Sequence, residues 1–418
     1  MSFTNLSPEL RRLSADVEKD LQSVYSGFDS VAEGCTLKVM SAFQEFRVSE
    51  ACFAGTTGYG YNDLGRDTLD KIYARVFGAE NALVRIGFVN GTHAIATALF
   101  AICKPGDTLL SVTGTPYDTL QCTIGIVGDG DGSLKFYGVD YAQVELLPDG
   151  EPDFEGIKKA ASDPKVRAVT IQRSRGYALR RALGIDDIEK IIKTIREVNP
   201  HAKILVDNCY GEFTETREPT EVGADLIAGS LIKNPGGGLA PTGGYIAGRA
   251  ELVERAAIRM TTPGIGGECG STLGNNRLLY QGFFMAPHIV AQALKTAAFC
   301  AGMMERIGLK SSPTSHEARH DIIQMIEFGS AEKLLRFCSA IQSGSPVDSF
   351  VTPVPWAMPG YEDEVVMAAG AFIQGSSIEL SCDGPMREPY LGFMQGGLTY
   401  ESGKLSVMFA AEKLLSED

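Results

Sequence analysis

The chain has 418 residues, more than the ~250–300 at which a single core usually stops growing, so two domains are expected. With 44% hydrophobic and 22% charged residues, the composition excludes a fibrous, disordered or wholly membrane-spanning chain. The formal net charge of −14, from 38 basic against 52 acidic residues, offers no electrostatic footprint for a nucleic-acid partner, although a local positive pocket for a small anion is compatible with it.

The first residues lack a basic stretch followed by an apolar one, so no secretory signal is expected. Ser7 can cap a helix that Pro8 and Glu9 open, and the helical pattern runs on through LRRLSADVEKDLQSVY. A second helical segment covers 36–50, and the glycine- and tyrosine-rich loop AGTTGYGYNDLGRD follows. From about 80 to 250, short β-branched runs alternate with helical patterns. Strands are expected at 82–88, 108–112, 143–147, 166–172, 202–207, 225–228 and 244–247, and helices at 92–103, 117–123, 153–161, 185–197 and 251–259. Strands separated by helices imply crossovers and a mostly parallel sheet. A second glycine-rich loop covers 262–277, and a long helix over 278–308 leads into a smaller α/β domain. That domain is read as helices at 331–341 and after Met408, with strands around 349–353, 378–381 and 405–407. The divisions expected are 1–60 as an N-terminal helical arm and interface segment, 61–285 as the large domain and 286–418 as the smaller one. No apolar run reaches the ~18 residues of a membrane span.

The nine cysteines form no CxxC pair; Cys103, Cys122, Cys300 and Cys338 lie in apolar stretches and read as buried thiols of a reducing cytoplasm. His316 and His320 have a spacing that could suit a metal, but it more often marks a charged helix face, and no metal site is expected.

Three segments carry candidate chemistry. In IAGSLIKNPGGGLAPTGGYIAG, Lys233 follows an apolar strand and precedes three glycines. The order is not that of a phosphate loop, which leaves a Schiff-base lysine or a structural turn. In AKILVDNCYGEF, Asp207 ends a hydrophobic strand, where open α/β sheets bind ligands. A buried carboxylate there needs a cationic or donor partner, such as a pyridinium N–H; a turn cap is the plainer reading. In VNGTHAIATAL, Asn90, Gly91 and Thr92 lie between a strand and a helix, which suits either an anion site or an ordinary cap. Cys209 reads as a small buried filler.

In chain order these segments resemble the aspartate-aminotransferase fold, type I, of pyridoxal-phosphate enzymes. More narrowly, the chain resembles the cystathionine beta-lyase/methionine gamma-lyase-like family, also called the aluminium resistance protein family, through TTGYGYNDLGRD, RIGFVNGTHAI, VTGTPYDTL, TIQRSRGY, VDNCYGEFTE, GSLIKNPGGGLAPTGGYIAG and MQGGLTY. The resemblance covers about 35 to 410. It implies a large domain with a mostly parallel seven-stranded sheet between helices, plus a smaller α/β domain.

The resemblance also implies roles. Lys233 would bond covalently to pyridoxal 5'-phosphate, and Asp207 would pair with its ring nitrogen. Gly91, Thr92 and Ser230 would cradle the phosphate, with His93 starting the helix behind. Tyr117 would stack on the cofactor ring. Tyr59 and Tyr61 would reach the phosphate or substrate of a second copy in a homodimer, with a homotetramer built from two dimers. Arg387 is the first choice for the substrate carboxylate and Arg173 the second. The implied activity is carbon–sulfur elimination on cystathionine, cysteine or methionine. Position 232 is Ile where better-known sulfur-amino-acid lyases carry Thr, which leaves the cofactor expectation intact and weakens the transfer of their reaction. Nothing in the sequence picks β- over γ-elimination, and an aldolase-like or aminotransferase reaction stays open.

Overall fold

A computed structural model describes residues 6–128, 130–358 and 363–416. Helix α1 (Pro8–Asp20) starts as its sequence dictates: the Ser7 hydroxyl accepts the Leu10 N–H at 3.2 Å, with proline at the first turn. The expected segment 36–50 is the second half of a longer helix, α2 (Gln22–Glu45). After α3 (Leu64–Val76) the alternation begins, with β1 (Asn81–Arg85), α4 (Gly91–Ile102), β2 (Thr108–Ser111), α5 (Asp118–Ile124), β3 (Asp140–Gln143) and α6 (Phe154–Ala161). It continues with β4 (Val166–Gln172), α7 (Ile185–Val198), β5 (Lys203–Asp207), β6 (Leu226–Ser230), β7 (Gly244–Gly248) and α8 (Ala250–Met260).

These seven strands form one sheet in the order β1-β7-β6-β5-β4-β2-β3. Neighbours from β6 to β3 are parallel, whereas β7 runs antiparallel to both β1 and β6. Burial explains the pattern: β5 and β6 are apolar on successive residues because helices cover both faces. The strand expected at 143–147 falls earlier, at Asp140–Gln143, on the partly exposed sheet edge.

The long helix α9 (Asn276–Arg306) joins two cores. Its Leu279, Tyr280 and Phe283 pack with the large sheet, while Phe299, Met303 and Met304 pack with the smaller domain. Leu10, Val17 and Leu21 also enter that second core, so α1 is tied down within its own chain. The remainder consists of β8 (Lys310–Ser312), β9 (Ile323–Glu327), α10 (Ala331–Ser343), β10 (Val365–Ala369), β11 (Ser381–Pro385), β12 (Leu391–Gln395) and α11 (Tyr400–Leu415). Its sheet is antiparallel, in the order β10-β11-β12-β9-β8.

Three expectations for this domain are corrected. Residues 405–407 lie inside α11, 349–353 form no strand, and the strand expected at 378–381 begins only at Ser381. His316 and His320 lie on a turn rather than a helix, and His320 Nδ1 is 3.0 Å from Glu215 Oε1. Among the described residues no group of side chains suits a metal, and no helix is long and apolar enough to cross a membrane. Cys122 is exposed, against expectation, whereas Cys103, Cys300 and Cys338 are buried.

Candidate active site

The parallel strands deliver their C-terminal ends to one edge of the sheet, and the candidate residues meet there. Asp207 is the last residue of β5, and Lys233 follows β6 by three positions. Asn90 Oδ1 accepts the His93 N–H at 2.8 Å and caps α4, which orients the helix N-terminus toward the same edge. Thr92 and Thr119 join their hydroxyls at 2.9 Å between α4 and α5. A Cβ on Gly91 would stand 3.0 Å from Ser230 Cβ, so the turn closes tightly over the end of β6.

The lysine loop is held by backbone packing. A Cβ on Gly236 would lie 1.7 Å from the Leu231 carbonyl oxygen, and one on Gly237 would lie 2.3 Å from that of Gly282. Gly237 also has φ +53°, the left-handed region. The glycines after Lys233 thus let α9 cross the loop at backbone distance.

A cavity of about 380 Å³ opens where these elements converge, lined by Asn90, Gly91, Thr92, Tyr117, Asp207, Ser230 and Lys233. Gln374 and Gly375 of the smaller domain complete its wall. The Lys233 ammonium sits over the Tyr210 ring, 3.9 Å from the centroid. Burial disfavours that ammonium, but Cys209, Tyr210, Asp207 and Glu212 outweigh it and hold the group above its ordinary range. Burial pushes the Asp207 carboxyl up, opposed by Lys233 and by the Cys209 N–H, which donates to Asp207 Oδ1 at 3.1 Å.

His93 turns away: its Nδ1 accepts the Val89 N–H at 3.2 Å and its ring packs edge-on against Phe88. Tyr59 and Tyr61 do not reach this cavity in their own chain. They stack on each other with centroids 5.5 Å apart and are 71% and 57% exposed. Arg387 lines a neighbouring groove and pairs with Asp363 at 2.8 Å. Arg173 is not brought to the cavity either. It is fully buried, with its guanidinium bound by Asn208, Thr214, Glu215 and Glu218, so its charge is already satisfied.

Tyr210, Thr119 and Gln172 were not singled out from sequence. Tyr210 holds φ +71° while Ser377 Oγ of the smaller domain donates to its hydroxyl at 3.1 Å. A bulky non-glycine residue in that region costs about 1–3 kcal/mol.

These residues fit pyridoxal phosphate. A helix N-terminus with Thr92, Thr119 and Ser230 beside it suits a phosphate. Asp207 is buried with no ion pair among the described residues, which suits a pyridinium N–H. The half-buried Lys233 supplies the amine. The fold and site define a type I pyridoxal-phosphate enzyme.

Residues 10–415 match the family model described as methionine gamma-lyase. The chain belongs to this family and is a pyridoxal-phosphate-dependent carbon–sulfur lyase. It is 48% identical over 409 residues to the protein YnbB of Bacillus subtilis, covering 98% of this chain and 97% of that one. A carbon–sulfur lyase involved in aluminium resistance from Clostridium novyi NT has a similar crystal structure, with TM-score 0.95 and 52% identity over 98% of this chain and 97% of that one. L-methionine gamma-lyase of Pseudomonas putida is 26% identical over 247 residues, 57% of this chain and 56% of that one.

Proposed function

We propose that the enzyme eliminates the sulfur substituent of an amino acid such as cystathionine, cysteine or methionine, consuming one water and releasing a thiol (hydrogen sulfide from cysteine), a keto acid and ammonia. The observation that carries this reading is the meeting of Lys233, Asp207 and the α4 N-terminus in one cavity. The bound cofactor supplies the electron sink for the substrate α-carbon. Gly91, Thr92 and Ser230 hold its phosphate, with His93 stiffening the turn behind them. Tyr117 packs on its ring. Asp207 keeps a proton on the ring nitrogen, since among the described residues it is the only acid in the cavity wall. Lys233 Nζ takes the proton from the substrate α-carbon and can return it at a neighbouring carbon. Tyr210 supports the lysine from below, and small-domain residues Gln374 and Gly375 limit water at the reacting atoms.

Tyr59 and Tyr61 are assigned to the site of a second copy, in a homodimer whose pairs form a homotetramer. A rigid exposed aromatic pair suits an interface better than free solvent. The nine cysteines are all free thiols, which suits a reducing cytoplasm.

Incubation of purified holoenzyme with L-cystathionine, L-cysteine and L-methionine tests the reading, with products identified by mass. Free ammonia with pyruvate or 2-oxobutyrate supports elimination. Keto acid that forms only with an added keto-acid acceptor, and without ammonia, would show transamination instead.

A further inference from the structure

Tyr117 leans on a loop that the smaller domain holds. The loop, residues 174–177, follows β4 of the large sheet, and its Ser174 and Gly176 line the Lys233 cavity beside Tyr117. It backs Tyr117 closely. A Cβ on Gly176 would lie 3.1 Å from Tyr117 Cδ2, and the Tyr177 ring is tilted toward the Tyr117 ring with centroids 6.1 Å apart. Gln172, the last residue of β4, joins the two: its Oε1 accepts the Tyr117 N–H at 2.8 Å, and its Nε2 donates to the Ser174 carbonyl at 3.1 Å.

The smaller domain grips this loop through Asp321, Ser312 and Asp383. Asp321 Oδ2 accepts the Arg175 N–H at 3.2 Å, and Ser312 Oγ accepts from the Arg175 guanidinium at 3.3 and 3.2 Å. The Tyr177 hydroxyl donates to Oδ2 of Asp383 in β11, and the Tyr177 ring packs on Phe393 of β12 with centroids 5.0 Å apart. Asp383 is 7% exposed and has no ion pair among the described residues; its Oδ1 accepts from Gln395 Nε2 at 3.4 Å. Burial pushes its carboxyl up to about 6, opposed by the Tyr177 hydroxyl and by Lys233. A buried carboxylate without a paired cation is costly to fold, and an apolar side chain of the same volume would cost less. What the carboxylate supplies is direction: it fixes one hydroxyl at the far end of a rigid ring whose other side faces Tyr117.

We infer that Asp383 is a positioning residue that, through Tyr177, sets the place of the Tyr117 ring against the cofactor. The smaller domain thereby takes part in catalysis without touching the reacting atoms. This rests on the reading that packs Tyr117 on the cofactor ring, but not on which bond of the substrate is broken.

The test compares holoenzymes of the parent, Tyr177→Phe, Asp383→Ala, the double variant and Asp383→Asn at about pH 8, above the Asp383 value. Three quantities are read: the visible circular dichroism of the bound cofactor, which follows the asymmetry of the rings packed on it, the turnover of whichever sulfur amino acid the parent consumes, and the melting temperature. Tyr177→Phe and Asp383→Ala should each lose visible ellipticity and about tenfold or more in turnover, the worth of one hydrogen bond to a charged group. The double variant should be no worse than either single one, because each removes the same bond. Asp383→Asn keeps an acceptor and should recover most of both signals. A purely structural role would lower the melting temperature while the folded holoenzymes keep the parent's ellipticity and turnover, which overturns the assignment. Additive losses in the double variant overturn it as well. If Asp383→Ala does not fold, Tyr177→Phe decides, since it removes a single oxygen: parent-like ellipticity there overturns the proposal. Tyr117→Leu separates this proposal from the reading beneath it. Ellipticity unmoved by Tyr117→Leu sinks both, whereas ellipticity moved by Tyr117→Leu but not by Tyr177→Phe overturns the proposal alone. A parent that consumes none of the sulfur amino acids would sink the lyase reading and leave the ellipticity to decide this one.

Discussion

Lys233 Nζ lies 3.9 Å from the centroid of the Tyr210 ring, and the Tyr210 hydroxyl accepts a hydrogen bond from Ser377 at 3.1 Å. The seat of the lysine is therefore built from both domains. The large domain supplies the strand end and the aromatic floor; the smaller domain fixes that floor through one hydroxyl.

Lys233 should be the only lysine that carries the cofactor. Borohydride treatment of the holoenzyme should fix the cofactor to the peptide containing Lys233, as read by mass. Lys233→Ala should lower turnover by about 10³-fold or more while still binding the cofactor without a covalent bond. Label on any other lysine would refute the assignment.

Asp207→Asn should retain the fold, because the amide is isosteric and can still accept the Cys209 N–H. It should lose the ability to hold a proton on the ring nitrogen. The exchange of the substrate α-proton with solvent deuterium should slow by about 10²-fold or more. An exchange rate equal to the parent's would contradict the role.

Glu212 gives a pH test of stability. Burial pushes its carboxyl from 4.5 up to about 8, opposed by the Tyr245 hydroxyl that donates to Oε1 at 2.8 Å. Below about pH 4.5 both the folded and unfolded chains hold this proton. As pH rises the unfolded chain releases it first, so the fold loses stability steadily until the folded carboxyl ionises near pH 8. Glu212→Gln removes that loss and keeps an acceptor for Tyr245. Its melting temperature relative to the parent should therefore be higher at pH 8 than at pH 5. The same difference at both values would show that Glu212 does not titrate in this range.

What the sequence disclosed follows from burial. Strand β4 falls at 166–172 as expected, because a central strand covered on both faces is a continuous apolar run. Edge strand β3 was misplaced, because its residues are partly exposed and carry no such run. The short apolar run at 405–407 reads equally as strand or helix, and tertiary packing settles it as helix. Strand β11, SCDGP, contains residues that disfavour strands and is invisible to propensity. At the site, Lys233, Asp207 and Asn90–Thr92 were legible because strand ends and helix starts leave local marks. The arginines were not. Arg173 is sealed by Glu215 and Glu218, which reach it from a distant loop, and no spacing rule conveys that.

The tyrosine loop yields the most demanding prediction. Asp63 fixes it by accepting from Thr56, from Thr272 at 2.7 Å and from the Arg66 N–H at 2.9 Å, and a Cβ on Gly60 would meet the Ser271 backbone at 2.7 Å. A loop held this firmly, with two stacked tyrosines facing outward and away from its own cavity, is suited to completing a neighbour's site. Lys233→Ala chains and Tyr59→Phe/Tyr61→Phe chains should each form poorly active homodimers. Co-expression should generate mixed dimers. One site of each would combine the intact lysine of one chain with the intact tyrosines of the other, and the second site would carry both lesions. With random pairing about half the dimers are mixed, and each has one good site of two, so activity should approach about a quarter of the parent's per site. Differential tags on the two chains verify the mixing. Recovery toward that level establishes a shared site. No recovery despite verified mixed dimers, or full activity in the tyrosine double variant alone, would overturn the shared site.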